Sequence, residues 1–232
     1  MRLFADRSEA GWLLASALAG HVGKGAIVLA IPRGGVVLGY EIARVFGIPL
    51  DVIIPRKLGA PRNPELAIGA MAEDDVLIVD ESIVMHLGVT KAYIREEARR
   101  QGTEMARRLA LYRGDRPYPA LKGRTVIIVD DGMATGSTMK AALASVRKKG
   151  AGTIIIAVPV GPASTVRELE MEADMVLCLQ DPEEFYAVGQ FYRNFDQVGD
   201  EEVMRLLDLC RQDTGQAENG QRGELGCGQQ AS

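Results

Sequence analysis

The run Val126-Ile127-Ile128-Val129 followed directly by Asp130-Asp131 constrains this chain more than any other segment. Four β-branched residues in a row suit a strand buried on both faces, which is the signature of a parallel sheet covered by helices. Two adjacent carboxylates at the end of such a strand are costly unless they are solvated or hydrogen-bonded, so they must face a cleft. The residues that follow, Gly132-Met133-Ala134-Thr135-Gly136-Ser137-Thr138, are small and hydroxylated. They lead into Met139, Ala142, Leu143 and Val146, which repeat at helical spacing. Strand, turn and helix start in this order place polar groups at the carboxyl edge of an open α/β sheet, where ligands bind. Backbone N–H groups and hydroxyls at a helix N-terminus suit a phosphate monoester. The carboxylates would repel that phosphate and are suited instead to a pair of hydroxyls. A ligand with a phosphate at one end and a diol at the other is a ribose 5-phosphate unit.

The remaining pattern supports an α/β fold with a parallel sheet and helices on both faces. Strands are expected at Ala26–Ile31, Leu50–Ile54, Thr125–Val129, Thr153–Val158 and Met175–Leu179. Helices are expected over Val36–Phe46, from Lys91 to about Tyr112 with Thr90 as cap, from the end of the central motif to near Gly150, and over Ser164–Met171 and Glu201–Cys210. Leu66–Met71 and Val76–Val79 read as short strands about the acidic turn Glu73-Asp74-Asp75, and Pro55–Pro64 reads as a loop. Near the N-terminus, Ala10, Leu13, Leu14, Ala17 and Leu18 form an apolar helical stripe. Asp6 and Glu9 stand at capping-box spacing before it, so the segment reads as a packed helix and not a secretion signal.

Composition limits the function classes. A formal charge of −4 gives no basic footprint for nucleic acid, although local clusters can still bind small anions. Cys178, Cys210 and Cys227 are far apart, and with two histidines in the chain they make no zinc pattern. No apolar run reaches the ~20 residues of a membrane span. A cytoplasmic protein without nucleic-acid or membrane partners is expected. The arginines of segment 91–112 (Arg95, Arg99, Arg100, Arg107, Arg108) alternate with Glu96, Glu97 and Glu104 at i,i+3 and i,i+4, as on a solvated helix face.

The motif from Val126 to Thr138 is neither a Walker loop nor a dinucleotide fingerprint. It resembles the phosphoribosyl pyrophosphate (PRPP) loop of type I phosphoribosyltransferases: apolar strand, two acids, then Thr-Gly and a hydroxylated pair. The resemblance implies a Rossmann-like core over about 20–180, a small hood from about 1–10 and 180–200, and a flexible or inserted region at about 59–120. All of these belong to one domain at 1–211, ahead of a tail at 212–232 whose composition reads as disordered.

By the same resemblance Asp130 and Asp131 hold the ribose hydroxyls, and Ala134, Thr135, Gly136, Ser137 and Thr138 wrap the 5′-phosphate. Arg33-Gly34-Gly35, after the first long strand, matches the family's pyrophosphate loop, and Lys57 stands where a basic residue reaches the pyrophosphate. Mg²⁺ is implied as cofactor, held by PRPP oxygens and water close to Asp130 and Asp131 with no direct protein ligand, and a homodimer is implied as well.

The implied activity is transfer of the phosphoribosyl group from PRPP to an acceptor, expected to be a nucleobase, with release of pyrophosphate. Alternatives are a regulatory module that binds PRPP or a nucleotide without efficient catalysis, and a hydrolase of PRPP or a nucleotide. Members acting on 6-oxopurines carry Asp just before the Thr-Gly. Ala134 stands there in this chain, which disfavours those acceptors. No general acid or base is assigned. Residues 185–195 hold five of the chain's twelve aromatics, which marks Phe185 and Tyr186 as candidates for stacking on the acceptor.

Overall fold

The computed structural model describes residues 2–224. Five strands, β1 (Ile27–Ala30), β2 (Leu50–Val52), β6 (Thr125–Val129), β7 (Thr153–Val160) and β8 (Met175–Gln180), form one sheet in the order β2-β1-β6-β7-β8. All four pairings are parallel. Alternate residues of each central strand enter different cores, as the pleat requires. Val28, Ala30, Ile127, Val129 and Ile155 pack with Leu14, Leu38, Ile42 and Leu207 of α1 (Arg7–Ala17), α2 (Gly34–Phe46) and α7 (Asp200–Glu224). Ile27, Leu29, Val126, Ile128 and Ile156 face the other way, onto Met139, Leu143 and Leu169 of α5 (Ser137–Lys148) and α6 (Ala163–Glu170). Helices therefore cover both faces, as the β-branched runs predict.

From β1 the chain turns through α2 to β2, and from β6 it turns through α5 to β7. The connections leave in opposite directions, which makes the gap between the carboxyl ends of β1 and β6 the switch point of the sheet.

Strands at 66–71 and 76–79 and the helix from Lys91 stand as expected, but two parts of segment 55–90 depart from the expectation. Pro55–Pro64 is not a loop: β3 (Arg56–Ala60) and β4 (Asn63–Ala72) pair antiparallel, with Pro61-Arg62 as the turn, and β5 (Val76–Val79) completes a three-stranded sheet. Pro55 precedes β3 and Pro61 lies in the turn, while Pro64, inside β4, is accommodated by a bulge. The register slips at Gly59, where a Cβ would lie 2.6 Å from the Pro64 carbonyl. Next comes α3 (Glu81–Leu87), unforeseen in the sequence and capped by the Asp80 carboxylate, which accepts the N–H groups of Ser82 and Ile83. Thr90 caps α4 (Lys91–Arg113) as expected. Leu58 and Ile68 pack on Ile94 of α4, while Ala70 and Ala72 pack on Ala141 of α5. The small sheet is thus held beside the carboxyl edge of the large one.

The terminal segments meet as a hood. Phe4 bridges to Tyr192, and the two rings are 5.4 Å apart. Asp6 caps α1 through the Glu9 N–H, and Glu9 in turn accepts the Ala5 N–H, one residue earlier than a strict capping box. The closing helix α7 is longer than its expected 201–210 and continues to Glu224. The expected disordered tail is therefore helical over its first part, and its last residues, 225–232, lie outside the described residues.

A buried polar cluster joins the two sheets. Arg113 donates to the Val52 carbonyl at 2.9 Å, approaches Asp51 at 3.3 Å and Glu73 at 4.0 Å, and stacks on Tyr118. The Lys149 ammonium lies 3.8 Å from the centre of the same ring and pairs with Asp74. Burial pushes the Glu73 carboxyl up to about 7, against the opposing charges of Arg113 and Lys149. A raised folded-state pKa means that the folded state keeps a proton which the unfolded state has already released between about 4.5 and 7. Stability from this group is therefore full below that window and lost as pH rises through it. Glu73→Gln is expected to raise stability by about 1–3 kcal/mol at pH 8 and to match wild type at pH 4. Urea unfolding at the two pH values checks this; an equal difference at both would contradict it.

Candidate functional site

A cavity of about 710 Å³ opens at the switch point. Its floor is the carboxyl edge of the large sheet, with Asp130, Asp131 and Thr138 after β6 and Arg33 and Gly34 after β1. One wall is Arg56, Lys57 and Gly59 of β3 with Glu97, Arg100 and Gln101 of α4, and the opposite wall is the hood, with Arg7, Phe195 and Gln197.

The acidic pair is held from several sides. The Asp131 N–H donates to the side chain of Asp130 at 2.8 Å. Burial, and after it the neighbouring charge of Asp131, hold the Asp130 carboxyl well above the usual carboxylate range. The Asp131 carboxylate accepts the Arg7 Nε–H at 2.7 Å, and its carbonyl accepts the Tyr192 hydroxyl at 2.7 Å. The two carboxyls thus have different surroundings: Asp131 is paired with the Arg7 guanidinium, whereas Asp130 is buried beside it.

The loop beyond them is fixed to the second half of the sheet. Met133 N–H donates to the Val160 carbonyl at 3.0 Å, and the Thr165 hydroxyl donates to the Ala134 carbonyl at 2.8 Å. Gly136 takes φ +70 at the start of α5, a conformation that costs a side-chain residue about 1–2 kcal/mol, and no side chain caps this helix. Its first N–H groups are left for solvent or a ligand, with a positive helix terminus behind them. The Thr135 and Ser137 hydroxyls lie 2.7 Å apart beside it.

At the facing edge the Pro32–Arg33 peptide is cis, and α2 likewise starts without a side-chain cap. The two glycines of Arg33-Gly34-Gly35 have a role the sequence did not suggest. A Cβ on Gly34 would lie 1.9 Å from Asp131 Oδ2 and 2.8 Å from Arg7 Nε, and a Cβ on Gly35 would lie 2.7 Å from the Val129 carbonyl. They let the loop after β1 close on the acidic pair. Gly35 is buried in that contact and does not line the cavity, whereas Arg33, Gly34 and Lys57 do.

Phe185 and Tyr186 stand away from the site. Phe185 stacks on Phe191 at 5.4 Å in the hood core, and Tyr186 is 85% exposed. The aromatic at the cavity is Phe195, whose ring is covered by the Arg7 guanidinium at 3.8 Å. Helix α4 also needs correction as a purely solvated face. The expected pairs Arg99–Glu96, Arg100–Glu97 and Arg107–Glu104 form, but Glu97 is buried, and with Arg100 and Gln101 it lines the cavity. Arg56 donates to Gln101 at 2.9 Å across that wall.

Comparison with known proteins decides the family. Residues 13–196 match the model of the phosphoribosyl transferase domain. The chain belongs to this family. Two Mycobacterium tuberculosis proteins, from strains CDC 1551 and H37Rv and provisionally named phosphoribosyl transferases, are 44% identical to it over 217 residues. That alignment covers 94% of this chain and 49% of each relative, so the chain spans about half the length of the curated relatives it matches. The crystal structure of the protein TT1426 from Thermus thermophilus superposes with a TM-score of 0.76 at 43% identity, covering 89% of this chain and 98% of that one. Within the family fold, no helix among the described residues is long and apolar enough to cross a membrane.

Proposed function

We propose that this family member binds PRPP at the switch-point cavity and transfers its phosphoribosyl group to a nucleobase, releasing pyrophosphate. The observation that carries the reading is convergence. One sheet edge brings together an acidic pair, Thr138 from the first turn of the uncapped helix α5 and the loop Arg33–Gly34, facing Lys57 across a single cavity, with Ala134, Thr135, Gly136 and Ser137 just outside its lining. The acidic pair suits the ribose diol, the α5 N-terminus suits the 5′-phosphate, and Arg33 and Lys57 suit the pyrophosphate.

Mg²⁺ fits this donor set only as a metal held by ligand oxygens and water. Asp131 is already paired with Arg7, and among the described residues no three His, Cys, Asp or Glu side chains converge. When bound it would neutralise pyrophosphate charge. The chain's own groups orient the ribose through Asp130 and Asp131, stabilise the departing pyrophosphate with Arg33 and Lys57, and exclude water with the hood. Ala134 supplies no carboxylate for the acceptor's proton, so hypoxanthine, guanine and xanthine are expected to be poor acceptors.

Pyrophosphate release from PRPP and Mg²⁺, assayed over a panel of purine and pyrimidine bases, tests the reading. Release that depends on one base is the expected result. Release without any base would make the protein a hydrolase, and silence with every base would leave a binding module; either contradicts the transferase.

A further inference from the structure

Arg7 stands in the first turn of α1, outside the residues 13–196 matched to the family. Its Nε donates to Asp131 Oδ2 at 2.7 Å, its Nη1 donates to the Asp196 carbonyl at 2.7 Å, and its guanidinium lies over Phe195. One side chain thus joins the N-terminal helix, the hood segment around 194–198 and the acid at the end of β6. The Arg7 and Asp131 side chains are only 12% and 17% exposed, so the pair is screened far less than a surface bridge. Gly34 is the floor beneath both partners, where a Cβ would strike each of them. The Tyr192 hydroxyl adds a second tie between the hood and Asp131.

A carboxylate that receives a ligand hydroxyl must be held at a fixed angle, and here the holding group is part of the hood. We propose that Arg7 is a positioning residue that couples docking of the hood to binding of the ribose diol at Asp131. The inference rests on the PRPP reading above. Coupling of this kind is reciprocal. If the docked hood sets Asp131 for the diol, then occupancy of Asp131 must in turn stabilise the hood. A bridge with only a structural role would change stability and leave the ligand unable to reach the hood.

Arg7→Met removes the charge and the planar fork while keeping a long apolar side chain for Phe195, and Arg7→Lys restores the charge alone. PRPP with MgCl₂ is titrated calorimetrically into each full-length protein, and amide hydrogen exchange is followed at residues 194–198. In wild type, PRPP is expected to slow exchange in that segment. Arg7→Met is expected to weaken PRPP binding about 10-fold to 100-fold and to abolish the added protection. Arg7→Lys should recover part of the affinity, and it carries the test if Arg7→Met does not fold. Affinity within twofold of wild type in both variants would overturn the coupling. So would tighter binding, which would make Arg7 a competitor of the ribose, or weaker binding with protection at 194–198 retained. A wild type that binds no PRPP would overturn the ribose assignment itself and this inference with it, a result distinct from binding that ignores Arg7.

Discussion

Gly34→Ala is expected to abolish PRPP binding and to lower Tm by roughly 3–10 °C. The added methyl carbon would stand 1.9 Å from Asp131 Oδ2 and 2.8 Å from Arg7 Nε, so neither partner can keep its place. Overpacking of this kind costs about 1–3 kcal/mol. The functional loss exceeds the stability loss because the displaced atom belongs to the proposed diol carboxylate. Thermal unfolding and calorimetry with PRPP on the same preparation check both halves. An alanine variant with wild-type affinity would show that the loop after β1 and the acidic pair do not share a ligand.

The acidic pair itself should respond asymmetrically. Asp131→Asn leaves the Arg7 guanidinium without its anion in a mostly buried place, and stability is expected to fall by about 1–3 kcal/mol. PRPP affinity should fall by about 100-fold, since a charge-assisted acceptor is lost where the ribose is proposed to sit. Asp130→Asn replaces a carboxyl that burial and Asp131 already bias toward its neutral form. It should keep or raise stability while still weakening PRPP. Adjacent in sequence and alike in type, the two acids are separated by the Arg7 bridge. Equal effects of the two substitutions on denaturant midpoints would contradict the stabilising role of the Arg7–Asp131 pair.

Much of the fold is legible in the chain because each element carries a local cause. The continuous apolar runs at 27–30, 126–129 and 154–158 are strands buried on both faces, and Asp6 and Thr90 announce helix starts through their own side chains. The failures have physical reasons too. Pro64 argues against a strand by the ordinary rule, and the bulge at Gly59, a feature of pairing, makes room for it, while Pro61 falls in the turn. Asp80 is as good a cap as Thr90, but the helix it opens has no buried residue and so little apolar period to notice.

The same division holds at the site. Motif residues adjacent in sequence, such as Asp130, Asp131 and Thr138, are found together at the cavity because one strand-turn-helix unit carries them. Groups supplied by distant segments leave no mark in the sequence. Arg7 reaches across 124 positions to Asp131, and Phe195, not Phe185 or Tyr186, is the ring that the hood turns toward the cavity. Glu97 and Arg100 satisfy the spacing rule of a solvated ion pair, yet that spacing is equally satisfied by a pair on the wall of a cleft.

Titration of the wild-type protein with PRPP in the presence of MgCl₂, by calorimetry, probes the acidic pair after β6 as the ribose site. Saturable one-site binding with a Kd below millimolar is expected, weakened about 100-fold by Asp131→Asn. No heat of binding up to millimolar PRPP, or binding indifferent to Asp131, would contradict that assignment.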